Sequence, residues 1–184
     1  MILEIVKYGT PVLREKGRVV KEVDEKIKQL VVDMLETMQA ANGVGLAAQQ
    51  VGVPIQLTVI DVAGIEDRPS AMWIDDEEVP LEEHIPLMLL NPVLKLSDEK
   101  EAGNEGCLSF PDITAEITRS SGVHCTAQLL DGKKIEFEAA GLLARALQHE
   151  TDHLNGVLFI DRMNAATKVG LAGKLKRLQK ETRG

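Results

Sequence analysis

From Asp24 onward the chain places Ile27, Leu30, Val31, Met34, Leu35 and Met38 at intervals of three and four. That spacing predicts an amphipathic helix with Asp24 as its N-cap and Asn42-Gly43 as its stop. The period then changes. "IQLTVIDV" at 55–62 and "LMLLNPVLKL" at 87–96 are rich in β-branched and aliphatic residues and predict strands, with Pro92 at an edge or a bend. The intervening 63–86 is acidic, carries three prolines and has no clear period, which predicts a long surface excursion.

Apolar and polar residues alternate over 113–120, 122–132 and 133–139, with Asp131-Gly132 as a hairpin signal, and together these predict an antiparallel meander. Gly141 then opens "LLARALQHETDHLNG", whose Leu142, Leu143, Ala146, Leu147, Glu150 and Leu154 suit a helix ended by Asn155-Gly156. From Asn164 the tail sets Leu171, Leu175 and Leu178 at helical spacing among Lys168, Lys174, Lys176, Arg177, Lys180 and Arg183. It predicts a basic amphipathic helix. The resulting fold class is α+β: antiparallel or mixed sheets around a central helix carrying H-E-x-x-H, with a C-terminal helix.

At 184 residues and 44% hydrophobic, the chain suffices for one core and one domain. Its net charge of −8 argues against a surface built for sequence-specific nucleic-acid binding, which needs a broad basic face. The N-terminal "MILEIVKYGTPVLREKG" lacks the pattern of a signal peptide, and no run of about 18 apolar residues occurs. A cytoplasmic protein with no membrane contact is therefore expected. Cys107 and Cys125, the only cysteines, are expected to be reduced thiols.

The chemistry gathers in "QHETDHLNG" at 148–156. Positions i and i+4 share one helix face, so His149 and His153 can each direct a ring nitrogen at one ion. Glu150 lies beside such an ion and suits a base. A solvated helix face is the plainer alternative, weakened by the apolar Leu147 and Leu154 on either side. Downstream of His153 the chain offers no histidine or cysteine, whereas upstream "NEGCLSFP" places Cys107 in a glycine loop, where a thiolate would complete a Cys-His-His set. Cys125 alternates with Val123, Ala127 and Leu129 and reads as a small buried hydrophobe. "GVGLAAQQ" at 43–50 resembles no phosphate loop. Its Gly45 suits close approach of a peptide backbone, and Gln50 suits donation to an oxyanion. Neither His84 nor His124 reads as a ligand, while Asp152 is read either as an orienting partner or as an ion pair with Arg119.

The segments "GVGLAAQQ", "EGCLS" and "QHETDHLNG" resemble, in the same order, the three signature motifs of the peptide deformylases, G-x-G-L-A-A-x-Q, E-G-C-L-S and Q-H-E-x-D-H-L-x-G. The resemblance runs from "ILEIVKYGTPVLR" to about Asp161. It implies hydrolysis of the formyl group from the N-terminal formyl-methionine of nascent proteins. By similarity, Cys107, His149 and His153 hold one divalent metal ion, with water or hydroxide as the fourth ligand. Glu150 is the general acid and base, and Gln50 with the Leu108 N–H stabilises the oxyanion. Val44, Gly45 and Gly106 flank the substrate, and Leu142 and Ala146 lie near the pocket for its methionine side chain. The family also carries an apolar residue at the position of Arg145, and its usual connection is shorter than the excursion at 63–86.

The resemblance implies Fe(II) in the cell, with Zn(II), Ni(II) or Co(II) in purified protein. The chain is expected to comprise a catalytic domain at 1–163 with an attached basic amphipathic helix at 164–184. For some bacterial members that helix docks on the ribosome, and the alternative is a helix that packs its leucines and leaves its lysines in water. Two rival functions are a zinc endopeptidase, suggested by H-E-x-x-H alone, and a non-catalytic ribosome-binding metal module. The ligand set opposes the first and an open fourth position the second.

Overall fold

The computed structural model describes all 184 residues, Met1–Gly184. Helix α1 spans Glu25–Ala40, and the Asp24 carboxylate accepts from the Ile27 N–H at 2.9 Å, the cap that the sequence predicts. Its apolar face buries Val31, Met34 and Met38 against Leu46, Leu57 and Val59. The chain leaves the helix through Asn42, whose φ of 56° supplies the left-handed turn.

The strands are β1 (Gly45–Ala47), β2 (Leu57–Ile60), β3 (Ser70–Ile74), β4 (Glu77–Val79), β5 (Leu87–Leu96), β6 (Lys100–Cys107), β7 (Phe110–Ser120), β8 (Gly122–Gln128) and β9 (Lys134–Gly141). Seven form one sheet in the order β1-β2-β5-β8-β9-β3-β4, and β6 and β7 form a separate ribbon; every pairing between them is antiparallel. In β5 the register shifts between Leu90 and Val93, so Pro92 sits at the irregularity that a missing N–H demands.

Two expectations are corrected. The segment 63–86 is not an irregular excursion: β3 and β4 form a hairpin closed by Asp75 and Asp76 at φ 52° and 64°, and β3 extends the large sheet by pairing with β9. Met72 is fully buried while Asp75, Asp76, Glu77 and Glu78 are exposed, so surface charge conceals the alternation of a short edge hairpin. Nor do the three alternating segments form one meander. β8 and β9 are a hairpin, but β7 pairs with β6. β7 turns Ile113, Ala115 and Ile117 towards Phe110 and Phe159, whereas β8 turns Val123, Cys125 and Ala127 into a different cluster with Phe137. The same period serves both strands, and packing decides which sheet each joins.

Helix α2 (Leu142–Leu154) lies between these sheets, meeting β1, β2, β3, β5 and β9 of the larger and β7 of the ribbon. Eleven of its thirteen residues are buried, which makes it the element around which the core is built. Helix α3 (Ala165–Arg183) follows, capped by Asn164 accepting from the Thr167 N–H. Leu175 is buried, and Leu171 and Leu178 pack beside it on the cluster of Phe110 and Phe159. Burying a leucine is worth about 1.5–3 kcal/mol. The helix is thus docked by its leucines, and its lysines and arginines are exposed. No helix is long and apolar enough to cross a membrane.

Candidate metal centre

Helix periodicity places His149 and His153 one turn apart on the face of α2 that meets the β6–β7 ribbon. Cys107 reaches the same point from that ribbon. β6 and β7 pair regularly from Lys100↔Ser120 to Gly106↔Thr114, and the register then shifts so that Cys107 lies opposite Phe110 across a tight turn. Cys107 therefore ends a strand rather than lying in a glycine loop, and the bulge re-aims it. Its Sγ is 3.3 Å from His153 Nε2, and one ligand atom from each of Cys107, His149 and His153 lies within 4.8 Å of the others. Cys125, by contrast, is fully buried in β8, and burial alone pushes its thiol to about 12. His124 is surface-facing beside Glu136, and His84 is half-buried on the β4–β5 connection, away from the centre.

Behind the ligands lies a buried carboxylate that sequence reasoning left without a role. Glu105 Oε1 accepts from His149 Nδ1 at 2.9 Å and from Arg119 Nη2 at 2.9 Å; Oε2 accepts from Arg119 Nε at 2.6 Å and Arg145 Nη1 at 2.7 Å. Burial raises the Glu105 carboxyl, but the hydrogen bonds from His149 and Arg119 outweigh it and bring it to about 2. The bond at Nδ1 fixes the His149 tautomer and leaves Nε2 free as a ligand. Arg119 in turn donates to Asp152 at 2.9 Å, and Arg162 holds Asp152 from the other side. Asp152 thus both pairs with Arg119 and steadies the group that orients His149. Glu105 was visible within "EGCLS", but nothing in the spacing shows that three cationic donors converge on it.

Glu150 has no such network: its Oε1 stands 3.9 Å from His149 Nε2. Its Oε2 is buried without a hydrogen bond, and burial raises its carboxyl to about 7, with His149 and Arg119 pulling the other way. Gly45 makes room for it, because a Cβ there would meet Glu150 Cγ and Oε1 at 3.0 Å. The Gln50 amide is oriented by the Ala47 N–H, which donates to Oε1 at 2.9 Å, so Nε2 faces Ser109 Oγ at 3.2 Å and Cys107 Sγ at 3.7 Å.

These groups wall a cavity of about 660 Å³. Val44, Gly45, Gln50, Gly106, Cys107, Leu108, Leu142, Ala146, His149 and Glu150 all line it, and His153 lies just behind Cys107. Arg145 and Arg68 line it as well. A sequence model of the polypeptide deformylase family matches residues 2–169. The chain belongs to that family. A peptide deformylase of Methylacidiphilum infernorum is 46% identical over 98% of this chain and 94% of its own length. One of Opitutus terrae is 42% identical over 100% of this chain and 96% of its own. The peptide deformylase structure from Thermotoga maritima superposes with a TM-score of 0.75 at 38% identity, covering 89% of this chain and 99% of that one. That from Plasmodium falciparum gives 0.82 at 32%, covering 97% and 96%.

As a peptide deformylase, the chain is a metal-dependent hydrolase that removes the formyl group from formylated nascent peptides. Cys107, His149 and His153 fit such an ion on three counts. They are the thiolate and imidazole donors that transition metals favour. The orienting bond at His149 Nδ1 is in place. Glu105 and Cys107, outweighing burial, raise the proton affinity of His149 to about 10, so the site draws positive charge to itself. His153 is driven the opposite way, by burial and then by the charges of His149 and Arg119, and its Nδ1 has no partner.

Proposed function

We propose that Cys107, His149 and His153 hold one divalent ion and that Glu150, Gln50 and the Leu108 N–H act on the formyl group beside it. The observation carrying this reading is the buried Glu150 carboxyl, its Oε2 without a hydrogen bond, next to the three-ligand cluster in the wall of the cavity. When bound, the ion supplies Lewis-acid chemistry, polarising the formyl group and lowering the pKa of water from 15.7 towards about 7.

The chain's own residues do the rest. β1 is an edge strand of the large sheet, and Gly45 offers its backbone to an extended peptide, opposite Gly106 on the ribbon, while Val44, whose carbonyl accepts from the Asp61 N–H, flanks that peptide. Leu142 and Ala146 receive the first side chain of that peptide. Glu150 accepts a proton from the attacking water and returns it to the departing amine. Gln50 Nε2 and the Leu108 N–H donate to the developing oxyanion. The decisive experiment is anaerobic purification with metal analysis and a formate-release assay on formyl-Met-Ala-Ser. Formate without internal cleavage of longer peptides supports it, and cleavage within the chain returns the endopeptidase.

The Gln50→Leu enzyme is expected to lose about 10²–10³ in kcat, the usual cost of one oxyanion donor. An unchanged kcat removes Gln50 from that role. Cys107→Ala is expected to purify with under a tenth of the wild-type metal, measured by plasma emission spectroscopy; full occupancy removes Cys107 from the ligand set. Fe(II) is our reading for the cell on the family resemblance alone; zinc outcompetes iron at most such sites, so its presence after purification is uninformative. Reconstitution under argon with Fe(II), Ni(II), Co(II) and Zn(II) ranks their activities.

We assign residues 1–163 to the catalytic unit, in the cytoplasm, and 164–184 to a helix that meets the ribosome. The exposed Lys168, Lys174, Lys176, Arg177 and Lys180 on α3 support this. Truncation after Met163 would remove Leu171, Leu175 and Leu178 from the core and confuse stability with binding. Reversing Lys174, Lys176, Arg177 and Lys180 to glutamate is expected to reduce ribosome co-sedimentation at low salt without lowering Tm. Unchanged co-sedimentation makes the tail a solvated face.

A further inference from the structure

The cavity beside the metal centre does not end at Leu142. A second cavity of about 500 Å³ adjoins it, and Arg68, Asn104, Leu142 and Arg145 border both. Of the two arginines at this junction, Arg145 is spent. Its Nη1 donates to Glu105 and to the Ile117 carbonyl, and its Nη2 to the Glu101 carbonyl, so the guanidinium is fixed. It lies flat over Gly103, where a Cβ would stand 2.9 Å from its Cζ. Arg68 is different. It comes from the segment just before β3, is half-buried, and forms neither an ion pair nor a side-chain hydrogen bond. Its five guanidinium donors therefore have no protein partner, and Arg68 lines the same cavity as Leu142 and Ala146 and borders the second cavity with Leu142.

An apolar side chain leaves those donors unused. The thioether of methionine is a weak acceptor, whereas its sulfoxide carries a strong one at the same position along the chain. Burying that oxygen in an all-apolar pocket is costly, and a free donor removes the cost. A carboxylate would be a stronger acceptor still, but Asp67 and Glu101 border the outer cavity and oppose a full negative charge. The ligand that fits is a neutral dipole.

We propose that Arg68 is a specificity-determining residue which allows this enzyme to deformylate peptides whose N-terminal formyl-methionine has been oxidised to the sulfoxide. The inference rests on the reading of Leu142 and Ala146 as the side-chain pocket. The bond that breaks is the same formamide C–N bond, and the sulfoxide is left unchanged in the product.

The test uses the metal-loaded full chain and measures formate release from formyl-Met-Ala-Ser and from its sulfoxide. In the wild type the two kcat/KM values are expected to agree within about tenfold, and in Arg68→Ala the sulfoxide-to-thioether ratio falls by about tenfold or more, the usual loss for a charged hydrogen bond. Arg68→Lys restores part of the ratio. A ratio that Arg68→Ala leaves unchanged overturns the proposal. So does a loss that appears instead on formyl-Met-Asp-Ser relative to formyl-Met-Ala-Ser, which would place the guanidinium along the peptide backbone. If the wild type releases no formate from formyl-Met-Ala-Ser, the assignment of the site itself fails, and the two failures are told apart by that control.

Discussion

Glu150→Gln lowers kcat/KM by about 10³- to 10⁴-fold, the upper range for loss of a general base, while metal content stays at the wild-type level. The substitution keeps the side chain's volume beside Gly45 and removes only its ability to carry a proton. Burial holds the carboxyl near 7, with His149 and Arg119 opposing, so it exchanges its proton close to neutral pH. The unfolded-state value is lower, at 4.5, and the linkage sign follows. Between 4.5 and about 7 the metal-free folded state holds more protons than the unfolded state, so stability falls as pH rises through this window. The ionised carboxylate then weakens the fold by up to about 3 kcal/mol. Metal-free Glu150→Gln is therefore expected to be more stable than wild type at pH 8 and similar at pH 4. Urea denaturation at the two pH values measures this, and formate release with metal analysis measures the catalytic part. A glutamine variant with more than a tenth of wild-type activity removes Glu150 from its role as base.

The largest structural effect is expected at Glu105. In Glu105→Ala the Arg119 and Arg145 guanidinium groups stay buried without their shared anion, and His149 loses the acceptor at Nδ1. Breaking a buried ion pair from one side typically costs about 3–5 kcal/mol. Loss of an orienting partner behind a metal-bound histidine typically weakens metal affinity by about 10–100-fold. Glu105→Gln separates these effects, because an amide oxygen still accepts from His149 while the charge is gone. It should be destabilised like the alanine variant yet bind metal more tightly. The pH dependence has a defined sign. With its folded value depressed to about 2 from 4.5, Glu105 stabilises the protein above 4.5, and this contribution is lost as pH falls from 4.5 to about 2. Urea unfolding combined with metal competition by a chelator checks all three statements. Destabilisation below about 1 kcal/mol would mean that solvent reaches Arg119 and Arg145 in the variant, and the hub would be no hub.

Function is also coupled to fold through this hub. Glu105 sits on β6, Arg119 on β7, and Arg145, His149 and Asp152 on α2, so one carboxylate joins the ribbon to the central helix at the point where Cys107 must meet the histidines. Its cost in desolvation is offset by four hydrogen bonds. Replacing the whole group by apolar residues could preserve stability, but it would release the imidazole.

What the sequence by itself determined is local. The three helices follow from a 3.6-residue period, with Asp24 as the cap of the first, and the pairing of His149 with His153 follows from the same geometry, since neighbours one turn apart need nothing beyond the helix. Strand character was legible from alternation, as was the β8–β9 hairpin from Asp131-Gly132. The ordered motifs added the identity of the cysteine and the glutamine. The tertiary structure decided the rest. Alternation states that a strand has a buried face but not which sheet supplies the cover, so β7 was misplaced beside β8 and the β3–β4 hairpin was hidden under its acids. It also decided that Glu105, Arg119 and Arg145, mutually distant in the chain and unremarkable as residue types, converge in one dry place. Burial of charge depends on the summed surroundings of many residues, and no local period encodes that sum.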